Sequence, residues 1–328
     1  MANYTNRRIV TVFGASGFIG RHLVRRLAKD GWFVRAVCRD TEKAHYLRTM
    51  GDVGQITPWG GDVSDPASVH VALDGADACV NLVGVLYESG KATFEKIHST
   101  DAKLVAETAA SFGITNFVQL SALGADKNAE AEYARSKAAG EEATLSAMPT
   151  ARIVRPSVVF GPEDNFFNLF AGLCRVSPFL PVIGGSVIPY LGDGGPKFQP
   201  VYVGDVADAV VQCLNDAATQ GKTFELVGPR VYSFADLMRL VLKFSSRKRI
   251  LLPVPFWVAE IEAFFLEKLP KPLLTRDQIK LMHNDNVASG TCPGLMDLGI
   301  KPTPCEAILP SYLRRYRTPL AQSKIANS

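Results

Sequence analysis

The 328-residue sequence predicts an α/β fold, a doubly wound parallel sheet followed by a smaller C-terminal lobe. The first 160 residues alternate apolar runs with segments of helical periodicity, the order typical of a parallel sheet with right-handed helical crossovers. After Gly161-Pro162 this alternation ends, and the chain becomes rich in Gly and Pro over Pro178–Pro196. We therefore expect one domain over 1–160 and a lobe over 161–328 packed on the sheet edge.

Each expected strand is an apolar run that a parallel sheet would bury. The strands are expected at Ile9–Phe13, Phe33–Cys38, Gln55–Trp59, Ala78–Val83, Asn116–Ser121 and Ala151–Arg155, with helices at Gly20–Lys29, Phe94–Ser111 and Ala129–Met148. In the lobe, a short strand is expected at Val201–Val203 and a helix at Val206–Leu214. Asp205 and Asp208 are expected to cap and charge the N-terminus of that helix.

The composition is that of a globular protein, with 47% hydrophobic and 21% charged residues. The net charge of +4 is too small to indicate nucleic-acid binding, and the excess lies in a basic tail over 311–328 that carries Arg314, Arg315, Arg317 and Lys324. No apolar run reaches the ~18 residues of a membrane-spanning helix, and the early strand at Ile9 leads us to expect no presequence.

The cysteines and histidines give no sign of a disulfide framework or a metal site. The six cysteines include no C-x-x-C pair, which fits a reducing compartment. The five histidines, His22, His45, His70, His98 and His283, lack metal-ligand spacing and are expected to be surface or packing residues. We therefore predict no metal.

A glycine motif, Gly14-Ala15-Ser16-Gly17-Phe18-Ile19-Gly20, follows the first strand and opens the first helix. In that context Gly14 permits a tight turn, Gly17 lets a pyrophosphate approach the helix N-terminus, and Gly20 allows the helix to pack closely on the strand. The motif predicts a dinucleotide site of the Rossmann type, and a glycine turn without ligand is the alternative.

Arg39, directly after the second strand, determines which dinucleotide we expect. An acid normally binds the ribose 2′-hydroxyl there, whereas a guanidinium would pair with a 2′-phosphate. We therefore predict NADP(H). Asp40 remains able to bind a 2′-hydroxyl, and Arg39 could equally be a solvated loop charge.

Tyr133 and Lys137 are one helical turn apart, so their side chains share a face. A lysine in that place can lower the pKa of the phenol and hold a ribose, and Ser121 lies at the end of the preceding strand. Three interpretations remain open: hydride chemistry, ribose binding without turnover, and an incidental surface pair.

A segment over 247–270 is dense in large apolar residues and follows Arg247-Lys248-Arg249. Helical spacing places Phe256, Trp257, Ile261, Phe264 and Phe265 on one broad face, while Glu260, Glu262 and Glu267 argue against deep insertion. The segment is expected to be either a buried helix of the lobe or a surface that meets partner subunits or lipid.

Taken together, these motifs resemble the extended or atypical short-chain dehydrogenase/reductases. The resemblance rests on the glycine motif, Gly61-Asp62-Val63, Asn81-Leu82-Val83-Gly84, Tyr133-x-x-x-Lys137 and Arg155–Pro162. It implies that the cofactor is bound by Gly14, Ser16, Gly17, Phe18, Ile19, Gly20, Arg39, Asp62, Val63, Leu82, Val83, Gly84, Tyr133, Lys137, Pro156 and Val158. Asp62 and Val63 would border the adenine, Leu82 to Gly84 the ribose and diphosphate, and Pro156 to Val158 the nicotinamide.

Two features depart from those enzymes and put the catalytic role of Ser121, Tyr133 and Lys137 in doubt. Ala122 stands where a second hydroxyl residue usually ends the strand, and only twelve positions separate Ser121 from Tyr133. We expect these three residues to be vestigial or to hold the cofactor.

The second half of the chain resembles the NADPH-binding accessory subunits of respiratory complex I. The matching stretches are Phe198–Val206, Phe224–Pro229, Leu251–Pro255, Thr275–Gln278 and Pro293–Ile300. The resemblance implies a non-catalytic subunit that supports the peripheral arm, with partners in the quinone module and membrane arm and a lipid surface possible. Its expected location is the cytoplasmic face of a bacterial inner membrane, the counterpart of the mitochondrial matrix face. A free NADP-dependent reductase or epimerase, or a nucleotide-sensing regulator, is the alternative.

Overall fold

The computed structural model describes residues 7–185 and 194–318, which form two compact units. The first unit contains residues 7–156, 203–226 and 290–300, and the second contains the remaining described residues. This division differs from a single boundary near residue 160, because the chain returns twice to the first unit after entering the second.

The strands and helices are numbered along the chain. The strands are β1 (Ile9–Phe13), β2 (Phe33–Cys38), β3 (Ile56–Gly60), β4 (Ala78–Asn81), β5 (Asn116–Leu120), β6 (Arg152–Pro156), β7 (Val159–Phe160), β8 (Phe179–Ile183), β9 (Lys197–Phe198), β10 (Val201–Tyr202), β11 (Thr223–Leu226), β12 (Tyr232–Ser233) and β13 (Ile250–Val254). The helices are α1 (Phe18–Lys29), α2 (Pro66–Leu73), α3 (Asp101–Ser111), α4 (Glu132–Ala147), α5 (Phe167–Val176), α6 (Val203–Asn215), α7 (Phe234–Ser245), α8 (Phe256–Leu266), α9 (Arg276–Met282) and α10 (Cys305–Leu313).

The first unit is built on a seven-stranded parallel sheet in the order β11-β6-β5-β4-β1-β2-β3. The strand order reverses between β1 and β4, and ligands of open α/β sheets bind at such a switch point, outside the carboxyl ends of the strands. The six predicted strands are confirmed, β1 and β2 with the predicted ends and the other four with ends shifted by one or two residues, and β11 is an additional edge strand. The doubly wound fold is therefore confirmed.

Buried strands and one charged pair hold this unit together. Phe13, Cys79 and Phe117 are fully buried between the sheet and the helices on one side. Glu141 of α4 accepts two hydrogen bonds from Arg155 of β6, at 2.8 and 2.6 Å, and so joins this helix to the sheet. The bidentate geometry satisfies both charges, which is what a largely buried ion pair requires.

Helix α6 begins three residues earlier than predicted. Asp205 lies in its first turn, as expected of a residue that interacts with the helix dipole. Asp208 instead forms an ion pair with Arg26 of α1, so its role is to join two helices of the first unit. The expectation that Asp208 caps the helix is wrong, because the helix has already begun.

The second unit has a core rich in aromatic residues. Phe160, Phe167 and Phe234 are fully buried there, with α10 packed beside them. Short two-stranded sheets, β7 with β10, β8 with β13 and β9 with β12, complete this unit. It contains no long sheet among the described residues, so side-chain packing supplies most of its order.

Helix α8 of the second unit exposes most of its large apolar residues. Only Ala259 and Ala263 of this helix are buried, whereas Trp257 is 66% and Phe265 64% exposed. Ile261 and Phe264 of α8 are also exposed, as are Ile250 and Leu252 of β13. Of the two interpretations left open by the sequence, a buried helix or an exposed surface, the structure agrees with the exposed surface.

Phe256 is the exception to the face that we predict for α8. Its ring packs on His283 at a centroid distance of 4.3 Å, and a Cβ placed on Gly184 would lie 2.6 Å from it. Phe256 therefore anchors the helix to its own unit, while the four other large residues face outwards.

The basic residues around this segment are only partly free. Arg247 donates to the Tyr316 carbonyl at 2.7 Å, Arg249 to the Cys174 carbonyl at 2.9 Å, and Arg317 to the Phe244 carbonyl at 3.2 Å. Arg315 donates to the Asn168 side chain at 2.5 Å. The described part of the basic tail is thus fastened to the second unit, while Lys324 and residues 319–328 lie outside the described residues.

Over residues 7–185 and 194–318, no helix combines the length and the apolarity that crossing a membrane requires. Within the same residues, no three His, Cys, Asp or Glu side chains gather in a way that could hold a metal ion. All six cysteines carry free thiols.

Candidate dinucleotide-binding site

The glycine motif forms a tight loop between β1 and α1. Gly14 has a φ of +78°, which L side chains rarely adopt. A Cβ on Gly14 would lie 3.3 Å from the carbonyl carbon of Leu82, which follows β4. A Cβ on Gly20 would lie 2.3 Å from the Gly14 carbonyl oxygen, so only glycine permits this turn. Gly17 is the N-cap residue of α1.

The N-terminus of α1 has the properties of an anion site. No side chain caps it, and its first turn contains no acidic residue. The first amide groups of an uncapped helix lack acceptors, and the helix dipole favours a negative group there. This end of α1 therefore fits a pyrophosphate.

Two side chains that the sequence analysis missed fasten the glycine loop. The Tyr46 hydroxyl donates to the Ser16 carbonyl at 3.2 Å, and Arg21 donates to the Gly17 and Ser16 carbonyls at 3.3 and 3.4 Å. Arg21 also lies over the Tyr46 ring at 5.4 Å. No sequence motif announces this contact, because Tyr46 lies 30 residues from Ser16.

Beyond β2, the two candidate groups for the adenosine ribose differ in their availability. The Asp40 carboxylate accepts the Lys43 backbone N–H at 3.1 Å and pairs with the Lys43 ammonium at 2.9 Å. Arg39 is exposed, and no described residue makes a hydrogen bond or ion pair with its guanidinium. Of these two groups, the Arg39 guanidinium is therefore the one that remains available to the adenosine ribose.

The ends of β3 and β4 bring the next predicted residues to the same edge of the sheet. Asp62 is exposed, and its carboxylate accepts the Ser64 N–H at 3.0 Å. Val63 is buried in the core beside Val69, which leaves mainly its backbone to border a ligand. Leu82 and Val83 are half-buried and continue from β4.

Gly84 is exposed and lies next to Lys137. A Cβ on Gly84 would lie 3.1 Å from Lys137 Nζ and 3.4 Å from His98 Nε2. The missing side chain keeps an open space in front of the lysine, as a ribose would need.

Tyr133 and Lys137 lie together on α4, and Lys137 reaches the end of β5 next to Ser121. Lys137 is 6% exposed, and its ammonium donates to the Leu120 carbonyl at 3.4 Å, one residue before Ser121. It lies 5.9 Å from the centre of the Tyr133 ring. Ser121 Oγ is buried and has no hydrogen-bond partner among the described residues. An orphaned hydroxyl at the end of a central strand is a polar group that a bound ligand could satisfy.

The electrostatics of this cluster oppose the expected activation of the phenol. Burial raises the pKa of Tyr133 to about 12, and burial lowers the pKa of Lys137 to about 8, with Glu141 acting against that decrease. From the sequence, a lysine in this place can lower the phenol pKa; in the structure the cause that sets the pKa of Tyr133 is desolvation, and it acts in the opposite direction.

Pro156 and Val158, the residues predicted to border the nicotinamide, fall in different units. Pro156 ends β6, and its carbonyl accepts the Leu123 N–H at 2.9 Å. Val158 is half-buried against the core of the second unit. Their role at the nicotinamide stays a prediction.

The residues of the first unit thus fit a nicotinamide dinucleotide. The fit rests on the uncapped helix, the open space at Gly84 and the orphaned hydroxyl of Ser121. Comparison with known proteins agrees, since the model of the NAD dependent epimerase/dehydratase family matches residues 10–227.

Two relatives and one solved structure define the similarity further. The chain is 36% identical over 321 residues to the mitochondrial NADH dehydrogenase (ubiquinone) 1 alpha subcomplex subunit 9 of Arabidopsis thaliana, covering 94% of this chain and 78% of that protein. It is 35% identical over 312 residues to the protein of the same name from Mus musculus, covering 94% and 81%. An NADPH-dependent quinone oxidoreductase from Escherichia coli, complexed with NADPH, has a TM-score of 0.71 at 18% identity and covers 94% of this chain and 99% of its own, which shows the shared fold. This chain therefore belongs to the NAD dependent epimerase/dehydratase family and to the same family as the alpha subcomplex subunit 9 of mitochondrial NADH dehydrogenase.

Proposed function

We propose that this chain is an accessory subunit of a respiratory complex I, NADH:ubiquinone oxidoreductase, stabilised by a bound NADP(H) that is not turned over. The observation that carries the proposal is the similarity to the alpha subcomplex subunits, which extends over 94% of the chain and so includes both units. Over the same share of the chain, the identity to these subunits is 35–36%, against 18% for the quinone oxidoreductase that shares the fold.

The choice of NADP(H) is supported by the groups beyond β2. The Asp40 carboxylate is already engaged by Lys43, whereas the Arg39 guanidinium is exposed and available. A 2′-phosphate can accept two charge-assisted hydrogen bonds from a guanidinium, while a 2′-hydroxyl offers no charge to pair with.

A structural role for the dinucleotide is supported by the cluster around Tyr133. A phenol with a pKa of about 12 is a poorer proton donor and acceptor near pH 7 than one tuned towards neutrality. Ala122 replaces the second hydroxyl residue after β5, and Lys137 faces the open space beside Gly84. In the proposed role, Lys137 holds the ribose and Tyr133 packs beside it.

The exposed apolar face of α8, formed by Trp257, Ile261, Phe264 and Phe265, supports assembly into a larger complex. Large exposed apolar patches mark interaction surfaces in soluble domains. We assign this face to partner subunits of the quinone module and membrane arm, which places the chain at the periphery of the respiratory membrane. The proposed location is the cytoplasmic face in a bacterium, equivalent to the matrix face in mitochondria.

Purification from native membranes tests the assignment. A tagged full-length chain, solubilised in mild detergent, should co-migrate with NADH:ubiquinone oxidoreductase activity on a native gel. Trp257→Ser with Phe265→Ser should abolish co-migration while leaving the thermal unfolding of the isolated chain unchanged, because both side chains are exposed. Binding of the free chain to lipid vesicles, with co-migration unaffected by these substitutions, would assign the face to lipid instead. Migration of the wild-type chain alone would contradict the proposal.

A free reductase or epimerase using Tyr133 and Lys137 is the second candidate, because these side chains do lie together beside the cofactor site. Tyr133→Phe distinguishes the two functions. An enzyme that uses the phenol as general acid should lose about 10²–10⁴-fold in rate. In the proposed subunit, the complex should keep its NADH:quinone activity, since electrons should reach quinone without passing through this nicotinamide. Oxidation of bound NADPH during turnover, abolished by Tyr133→Phe, would favour the enzyme.

A further inference from the structure

His98, one of the five histidines expected from the sequence to be surface or packing residues, is buried beside the candidate dinucleotide site. It is 2% exposed and lies in a π-helical stretch, Glu95–Thr100, that leads directly into α3. Such widened turns in helices occur frequently at functional sites.

The two ring nitrogens of His98 join the loop after β4 to helix α4. Nε2 accepts the backbone N–H of Val85 at 3.0 Å, and Nδ1 lies 2.9 Å from Ser136 Oγ. The Ser136 hydroxyl in turn donates to the Tyr133 carbonyl at 2.9 Å. Because Nε2 accepts an N–H, the proton of the neutral ring must be on Nδ1, where it is donated to Ser136.

Packing fixes the ring as firmly as these hydrogen bonds do. His98 is stacked on Phe94 at 5.5 Å and meets the edge of Tyr133 at 5.3 Å, and Phe94 also contacts Tyr133 at 5.8 Å. A Cβ on Gly140 of α4 would lie 1.9 Å from the His98 carbonyl oxygen, so the two backbones are in direct contact. The backbone of His98 and helix α4 therefore pack directly against each other.

The loop that His98 holds, Gly84–Val85, lies beside the open space in front of Lys137. Val85 follows Gly84, whose open side lies against His98 Nε2 and Lys137 Nζ. Burial, together with the nearby Lys137 ammonium, lowers the pKa of His98 to about 3, so the ring remains neutral at physiological pH. Lys137 is the charged group that faces it, and a second positive charge there would repel the lysine.

We propose that His98 is a positioning residue for the dinucleotide: it sets the distance between the Gly84–Val85 loop and the Tyr133–Lys137 face of α4, so that the nicotinamide-side ribose meets a preformed gap. This inference rests on the proposed binding of NADP(H) in the first unit. The effect of His98 should be confined to the nicotinamide side, because the residues after β2 that would bind the adenosine half do not contact His98. Loss of His98 should therefore weaken one half of the ligand and spare the other.

The test compares NADPH with 2′,5′-ADP, which has the phosphorylated adenosine half alone. His98→Phe keeps an aromatic ring but removes both hydrogen bonds and leaves the Val85 N–H without its acceptor. We expect about tenfold or greater weakening of NADPH binding to the full chain, and unchanged binding of 2′,5′-ADP. His98→Gln, which retains one acceptor and one donor, should restore most of the affinity. Equal weakening of both ligands, or of neither, would overturn the proposal.

A measurement on the wild-type chain keeps the test decisive if His98→Phe does not fold. In ¹⁵N NMR spectra of histidine-labelled protein, one ring should carry its proton on Nδ1 and remain neutral from pH 8 to pH 5, and Ser136→Ala should shift its Nδ1 resonance. A ring protonated on Nε2, or one that titrates in this range, would refute the inference. If the wild-type chain shows these signals but does not bind NADPH, the proposed function is refuted, whereas the hydrogen bonds by which His98 joins the Gly84–Val85 loop to α4 are not.

Discussion

Replacing Gly17 by valine should weaken dinucleotide binding strongly while leaving the ligand-free fold nearly intact. Gly17 has φ −71° and ψ 179°, a conformation open to any residue, and a Cβ there would meet only the Gly14 carbonyl oxygen at 3.1 Å. The cost to the fold should therefore be small. The γ-methyl groups of valine, however, would occupy the space in front of the uncapped N-terminus of α1, where the pyrophosphate must lie.

The size of the loss follows from the interactions that the pyrophosphate makes there. The helix dipole contributes about 0.3–2 kcal/mol to a nearby anion, and one hydrogen bond to a charged group about 1.5–3 kcal/mol. Losing the dipole and one such bond weakens binding by about 2–5 kcal/mol, or about 30- to 5,000-fold. Within the assembled complex, the same variant should lose its ligand-dependent stabilisation and dissociate more readily.

Calorimetric titration with NADPH measures this affinity, and thermal unfolding of the ligand-free chain measures the fold. Gly20→Ala is the matched control: its Cβ would lie 2.3 Å from the Gly14 carbonyl oxygen and 2.6 Å from that of Ala15, so the turn itself must shift and the unfolding temperature must fall. Wild-type affinity in Gly17→Val would place the phosphate site elsewhere. Equal destabilisation by both substitutions would refute the separation between fold and ligand.

Three further predictions concern charge. Arg39→Ala should lower NADPH affinity by about 1.5–3 kcal/mol and remove most of the preference over NADH, and equal affinities in the unmodified protein would sink the NADP(H) assignment. Arg155→Met should destabilise the fold in urea by about 3–5 kcal/mol, because Glu141 keeps a buried, unpaired charge, and adding Glu141→Gln should recover part of the loss. The folded pKa of His98, about 3, lies below its ordinary value of 6.5, so the stability that neutral His98 contributes is complete above pH 6.5 and is lost as pH falls towards 3. His98→Phe should flatten the stability profile in that window, and an unchanged slope would show that other groups cause it.

Local patterns predicted most of the first unit because its elements are specified by local chemistry. The apolar run Ile9–Phe13 can only be a buried strand, and the glycines after it are compatible with one kind of turn. The same is true of Tyr133 and Lys137, whose spacing alone places both on one face of α4. Strand ends shifted by a residue or two, since hydrogen bonding with neighbouring strands decides where a strand stops.

Contacts between distant segments could not be predicted in this way. Asp208 looked like a helix cap, but the ion pair with Arg26 depends on α1 and α6 being neighbours. The basic residue Arg315 looked like part of a solvated tail, but it binds Asn168, 147 residues away in the chain. Neither contact leaves a periodic or spaced signal in the sequence.

By itself, the sequence determined the parallel sheet, the glycine loop and the cation after β2, and it predicted the residues that would line the cofactor site. Only the tertiary structure decided that burial raises the pKa of Tyr133, that α8 exposes its large apolar residues, and that His98 joins the Gly84–Val85 loop to α4. The physical reason is the range of the interactions. Backbone preference and hydrophobic periodicity act over a few residues and can be read along the chain, whereas desolvation and side-chain hydrogen bonding depend on which segments meet in space.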